Sequence, residues 1–209
     1  MSKRNNKAML LTSASVATLL MCFSHAEAAF INEIHYENSG ADIGEAVELF
    51  AEVSTDFSGW SLLFYNGAGG AVYETIDLSS FGVSTGAIFI NPPSFQNGVD
   101  GIALVDNTST VLQFLSYEGA FIATDGPASG LLSLDIGVAE SAADIPGLSL
   151  QLQGTGSNYN DFTWSGPLAS TFGSINTGQI LAPVPVPAAV WLFGSGLLGL
   201  TTVARRKKS

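Results

Sequence analysis

Between Ala8 and Ala204 the 209-residue sequence contains no lysine and no arginine. Of its eighteen acidic residues only Glu27 lies outside residues 29–183, which leaves seventeen carboxylates and no fixed cation in that region. Because phosphate backbones are bound through Lys and Arg, the absence argues against nucleic-acid binding by this region. The same carboxylates must instead be solvated, hydrogen-bonded or bridged by metal ions. All seven basic residues lie at the two ends: Lys3, Arg4, Lys7, Arg205, Arg206, Lys207 and Lys208.

Cysteine is almost as scarce, since Cys22 is the only one. It lies in a stretch where a basic start is followed by an apolar run and then by small residues at Ala26 and Ala28, the pattern of a secretory signal peptide. We predict that signal peptidase removes residues 1–28 by cutting between Ala28 and Ala29. The mature protein then has no disulfide, no cysteine nucleophile and no thiolate metal site.

A second apolar run lies near the other end of the chain. Ala188 to Ala204 is a stretch of 17 uncharged residues, which as a helix spans roughly 25 Å, close to the ~30 Å hydrocarbon core of a bilayer. Four basic residues, 205–208, follow at once and by the positive-inside tendency stay in the cytoplasm. The pattern predicts a transmembrane helix over 188–204 with the preceding region on the far side of the membrane. A buried core helix is the alternative interpretation of a run this short.

The tail as a whole resembles a PEP-CTERM sorting signal of Gram-negative bacteria. The residues that carry the resemblance are Val184, the box Pro185, Val186 and Pro187, the span, and the basic end Arg205, Arg206, Lys207 and Lys208. Val186 stands where the family has its name-giving Glu. The resemblance implies that an exosortase, a membrane-embedded protease, removes the tail after transient anchoring in the inner membrane. It further implies a final place on the outer surface or in the extracellular matrix of a bacterium that makes exopolysaccharide and biofilm.

Residues 29–183, which we call the body, have the pattern of an all-β fold. Short runs rich in Val, Ile, Phe, Tyr and Trp alternate with turn clusters such as Asn66–Gly70, which favours a single β-sandwich or barrel. In the first run, alternation places Phe30, Asn32, Ile34 and Tyr36 on one face. Residues 119–141 are the least regular and are expected to form a long loop. The nine predicted strands are 30–36, 47–51, 60–65, 72–78, 87–90, 102–106, 111–117, 149–152 and 162–164.

The order of these runs also resembles a bacterial lamin-tail domain, an immunoglobulin-like β-sandwich. The matching segments are 31–36, 45–49, 56–62, 86–90, 101–106, 147–151, 162–164 and 173–179, and the family's domain usually ends in a segment like the last of these. Such domains often accompany secreted nuclease or phosphatase domains, but here the tail follows the body directly. The resemblance therefore implies a binding or structural module that is not an enzyme.

Two of the acids are expected to meet. If the first two strands form a simple hairpin with Tyr36 opposite Glu45, Glu33 faces Glu48, and like charges in that position repel unless a cation or hydrogen-bond donors intervene. With Asp42 in the connecting loop, the set Glu33, Asp42, Glu45 and Glu48 is a candidate calcium site, since Ca²⁺ takes six to eight oxygen ligands. A hydrogen-bonded glutamate pair without metal is the alternative, and no other cofactor is indicated.

The sequence thus favours a secreted, non-enzymatic surface or matrix protein whose partners are signal peptidase, an exosortase, the membrane through its C-terminal helix before cleavage and, by the resemblance, extracellular polysaccharide. One alternative is a carbohydrate- or calcium-dependent adhesion module. Another is a hydrolase with two carboxylates about 5–9.5 Å apart. No catalytic residue is assigned, because His35 is the only histidine left after leader removal and a single histidine in a strand is more often structural.

Overall fold

A computed structural model describes residues 29–92 and 94–182. The predicted signal peptide, Val184 with the box at 185–187, the predicted membrane span and the basic end therefore lie outside the described residues. The described part of the body contains eleven strands: β1 (Phe30–His35), β2 (Ala46–Asp56), β3 (Ser61–Asn66), β4 (Ala71–Asp77), β5 (Val83–Ile90), β6 (Asp100–Val105), β7 (Val111–Tyr117), β8 (Leu134–Asp135), β9 (Leu148–Gly156), β10 (Phe162–Ala169) and β11 (Gln179–Leu181). All nine predicted strands are present, and β8 and β11 are additional. Over the stretches that the structure describes, we find no helix of the length and apolarity needed to traverse a bilayer.

The strands form two sheets, as expected for a β-sandwich. One sheet has the order β10-β9-β1-β2-β5, and β11 joins it by pairing in parallel with β9. The other has the order β4-β3-β6-β7-β8. Most neighbours are antiparallel, so short turns connect many of them, whereas β1 and β9 pair across more than a hundred residues of sequence.

The main core lies between the two sheets. It contains large side chains from both, with Phe30 of β1 contacting Phe50 and Phe162 at ring-centroid distances of 5.9 Å each. Tyr36 stacks on Tyr117 of the opposite sheet with 4.0 Å between ring centroids. Aromatic pairs of this kind contribute about 0.5–1.5 kcal/mol beyond their burial, so they help to fix how the sheets face each other.

A second apolar cluster covers the outer face of the β4–β8 sheet. Leu63, Tyr65 and Phe114 point away from the main core and pack beneath residues 121–131, which lie over the sheet. The expected long loop over 119–141 is present, with β8 as its strand, and its own buried Phe121, Ala123 and Ala128 hold it on the sheet. Since β3 and β6 are buried on both faces, their sequences are nearly continuous apolar runs instead of alternating ones.

A β-bulge at Asn32 interrupts β1. Ile31 pairs with Leu49 and Glu33 with Glu48, so Asn32 has no partner of its own on β2. Phe30 and Ile31 consequently both belong to the core, while the Asn32 side chain bonds to Glu48 on the other face. The predicted sharing of one face by Phe30, Asn32, Ile34 and Tyr36 is therefore wrong at Asn32, because strict alternation does not survive an extra residue.

The β3–β4 turn makes a close approach that only glycine permits. The amide of Gly67 donates to Oδ1 of Asp100 at 2.8 Å, and a Cβ on Gly67 would overlap the carbonyl oxygen of Val99. We expect Gly67→Ala to lower the free energy of unfolding by about 1–3 kcal/mol, the range for overpacking. Gly69→Ala in the same turn is the control, because nothing lies within 4 Å of its added Cβ. Equal urea midpoints for the two variants would contradict the interpretation that the turn requires glycine at position 67.

Candidate functional site

The two glutamates predicted to face each other do so. Glu33 of β1 and Glu48 of β2 are register partners, as the hairpin predicts, and both side chains are fully buried. They lie beneath residues 170–182, which we call the closing segment and which ends in β11. The pair is the centre of a buried polar cluster, and this cluster is the candidate functional site of the described residues.

Hydrogen-bond donors surround the carboxylate of Glu33. Its Oε1 accepts from Ser149 Oγ at 2.6 Å and from the Thr171 amide at 2.8 Å, and its Oε2 accepts from Thr171 Oγ1 at 2.8 Å. Gln151 Nε2 adds a longer contact to Oε1 of 3.3 Å. Burial raises the pKa of Glu33, and these hydrogen bonds oppose the rise because they favour the charged form.

Glu48 is held in a similar way by fewer donors. Its Oε1 accepts from Asn32 Nδ2 at 2.9 Å and its Oε2 from the Gly173 amide at 2.6 Å. The pKa of Glu48 is raised to about 7, because burial and the neighbouring charge of Glu33 raise it by more than the hydrogen bonds lower it. The two strand glutamates thus bind backbone amides of the closing segment, and these hydrogen bonds offset part of the repulsion between them.

Two amide side chains of the closing segment fill the bulge in β1. Asn176 Nδ2 donates to the carbonyl oxygens of Asn32 and Leu152 at 3.0 Å each, and so joins β1 to β9 where their ladder is broken. Gln179 Nε2 donates to Asn32 Oδ1 at 2.7 Å. Both amides are buried, Asn176 with 2% and Gln179 with 6% of its surface exposed. The sequence does not indicate the role of these two side chains, because their partners become available only through the bulge at Asn32.

A second polar cluster surrounds His35 at the end of β1. His35 Nδ1 lies 2.8 Å from Glu140 Oε1, and Glu140 Oε2 accepts from the backbone amides of Tyr36 and Glu37 at 2.7 and 3.0 Å. Burial lowers the pKa of His35, but its hydrogen bond and charge interaction with Glu140 outweigh that effect, and the net pKa is raised. The cluster connects the loop that contains Glu140 to the end of β1 and so fixes the position of that loop.

The candidate calcium ligands are not brought together as one set. Glu33 and Glu48 lie under the closing segment, whereas Asp42 accepts from the Asn38 amide and from Asn97 Nδ2, both at 3.0 Å. Glu45 lies near His35, and burial, followed by the charge of Asp42, raises its pKa. Within residues 29–92 and 94–182, no three His, Asp or Glu side chains are grouped so as to hold a metal ion. The structure therefore gives the four-residue calcium site no support.

Both tryptophans of the body are core residues. Trp60 and Trp164 are each 7% exposed, and Trp164 Nε1 donates to Tyr159 Oη at 3.1 Å. Neither ring presents an open face on which a sugar could stack.

The comparison with known families concerns the segment that directly follows the body. Residues 183–208 match the PEP-CTERM protein-sorting motif. The matched range contains the Pro185-Val186-Pro187 box, the span and the basic end, all of which the sequence identified. This sorting motif implies export, transient membrane anchoring and processing by an exosortase-type enzyme. No curated protein and no solved structure is significantly similar to the chain.

Proposed function

We propose that the chain is a secreted, non-enzymatic protein of the outer surface or extracellular matrix, delivered by exosortase-dependent sorting. The observation that carries the proposal is the sorting motif at residues 183–208, which begins one residue after the last described residue of the body. The proposal includes removal of residues 1–28 by signal peptidase, anchoring through residues 188–204, and a link to exopolysaccharide or biofilm.

The body is proposed to serve as a lamin-tail-like, immunoglobulin-like binding or structural module. Two features support a structural role. The glutamates of β1 and β2 use their oxygens on internal donors, so the buried pair does not offer an open acid and base. His35 is likewise fully engaged, with Glu140 on one ring nitrogen and the Ile43 carbonyl oxygen 3.1 Å from the other.

Mass analysis of the protein from a producing strain tests the proposal. We expect a mature chain that begins at Ala29 and ends at or near the Pro185–Pro187 box, and in a strain that lacks the exosortase we expect the chain to extend to Ser209. Restoring the exosortase gene is the matched control and should restore the shorter product. An intact chain with both ends uncut, recovered free from the cytosol, would contradict export and sorting alike.

A further inference from the structure

The folded body ends directly at the sorting motif. The amide of Ala182 donates to the carbonyl oxygen of Gly156 at 2.7 Å, and Pro183 is the first residue of the matched motif. Only Pro183 and Val184 separate this hydrogen bond from the box that starts at Pro185. The chain therefore belongs to the folded sheet as far as Ala182, the last residue that the structure describes before the box.

This arrangement conflicts with what a protease requires. A protease binds several residues on each side of the scissile bond as an extended strand, and the backbone of that strand must be free to pair with the enzyme. In the body, Gln179, Ile180 and Leu181 already pair with β9 as β11. With β11 docked, no more than two residues before the box are available to an enzyme.

The closing segment is built to open without unfolding the body. Its attachment is largely polar: the Thr171 and Gly173 amides bind the buried glutamates, and the Asn176 and Gln179 side chains fill the bulge. Its Ile175 and Ile180 are 50% and 62% exposed, and its apolar contacts are those of Phe172 with Phe89 and of the partly buried Leu181 with the main core. Segments with few buried apolar contacts open locally at a lower free energy than the whole domain.

We propose that the closing segment is a latch that must release β11 from β9 before the sorting box can be cut. This inference rests on the proposed function, since it assumes processing by the exosortase. The buried glutamates hold the latch shut, and so the stability of this one segment sets how fast the anchored protein is released from the membrane.

A disulfide across β11 and β9 tests the latch. Ile180 is the register partner of Thr155, both are exposed, and neighbouring strands lie ~4.8 Å apart, within the Cα separations that disulfides span. The body has no cysteine of its own, so Thr155→Cys with Ile180→Cys gives one defined pair of thiols. Diamide oxidises the two thiols to the disulfide in cells of a producing strain, and dithiothreitol reduces it again.

We expect the cross-linked protein to be processed at least tenfold more slowly than the wild type, as followed by the size of the product over time. Reduction should restore the wild-type rate. The two single-cysteine variants, treated with the same reagents, are the matched controls and should be processed normally. Cross-linked protein that is cut at the wild-type rate would overturn the latch.

A second variant tests opening in the other direction. Asn176→Ala removes both bonds to the carbonyl oxygens of Asn32 and Leu152, so hydrogen exchange at the amides of Ile180 and Ala182, which face β9, should accelerate at least tenfold in the purified full chain, with no change in β6. Processing in cells should accelerate as well. Unchanged exchange at β11 contradicts the latch. Absence of processing in the wild type itself contradicts the proposed function instead, so the two failures are distinguishable.

Discussion

Replacing Glu33 with alanine is expected to lower the free energy of unfolding by at least about 2 kcal/mol. The change leaves the amide of Thr171 and the hydroxyl of Ser149 without their acceptor, and each such donor costs about 1–3 kcal/mol. Removing the charge also relieves the repulsion between Glu33 and Glu48. This gain is smaller than the cost of leaving these hydrogen-bond donors without their acceptor. Urea unfolding, followed by the fluorescence of the buried Trp60 and Trp164, measures the loss.

Glutamine at the same position separates hydrogen bonding from charge. In Glu33→Gln one oxygen still accepts from the Thr171 amide, and the new NH₂ group can donate to Thr171 Oγ1, which itself donates to Asn176 Oδ1 at 3.0 Å. We therefore expect a loss below about 1.5 kcal/mol. Glu74→Ala on β4 is the control and should change stability by less than about 0.5 kcal/mol. The account of the cluster is wrong if Glu33→Ala is as stable as Glu74→Ala.

The second large effect is a loss of stability as the pH rises from 5 to 8. Burial raises the pKa of Glu48 to about 7 and that of Asp100 to about 6. The folded state therefore holds protons that the unfolded state has released, and the stability they contribute is lost as the pH rises through these values. His35, whose pKa is also raised, acts in the same direction.

The size of this loss of stability follows from the pKa values of Glu48 and Asp100. Between pH 5 and pH 8, Glu48 and Asp100 together account for about 3–4 kcal/mol, or a fall in Tm of ~8–15 °C. The charges that act on them are Glu33 beside Glu48 and Glu118 beside Asp100, both negative. Exposed aspartates whose pKa is lowered, such as Asp56 and Asp106, act in the opposite direction but only below about pH 4.

Thermal unfolding at a series of pH values between 5 and 8 checks this expectation. The double variant Glu48→Gln with Asp100→Asn should flatten the profile, because it removes both titrations. Glu74→Gln is the matched control and should leave the slope unchanged. A Tm that is constant or rises from pH 5 to pH 8 in the wild type would show that these carboxyls are ionised in the folded protein.

Local sequence patterns predict much of the fold because the strands of this protein are strongly apolar. The hairpin register that sets Glu33 against Glu48 follows from counting residues outward from the connecting loop, and the structure has the same pairing. The bulge at Asn32 is not predictable in this way, since it depends on a partner, Asn176, that lies 144 residues further along the chain. The alternation of apolar and polar residues shows which side chains of a strand share a face. It contains no information about an amide side chain far along the chain, such as that of Asn176.

The candidate site shows the same limit. The glutamates could be identified as a pair, but the donors that satisfy them are backbone amides of Thr171 and Gly173, and a backbone amide has no signature in the sequence. The acidic composition suggested calcium because the sequence shows charges and not their hydrogen bonds. Glu140 was missed for a similar reason, as it lies in an irregular stretch and acts by binding the amides of β1.

The first strand of the body is held by residues that come late in the chain. β1 pairs with β9, and the side chain of Asn176 bonds to both strands. An exported chain crosses the membrane from its amino end, so β1 emerges early and finds neither β9 nor the closing segment until more than a hundred further residues have followed. The sheet cannot be completed during most of that passage, because loop closure must precede the contacts that reward it. The sheet of the body is therefore complete only after the closing segment, the last part of the chain before the sorting motif, has also emerged.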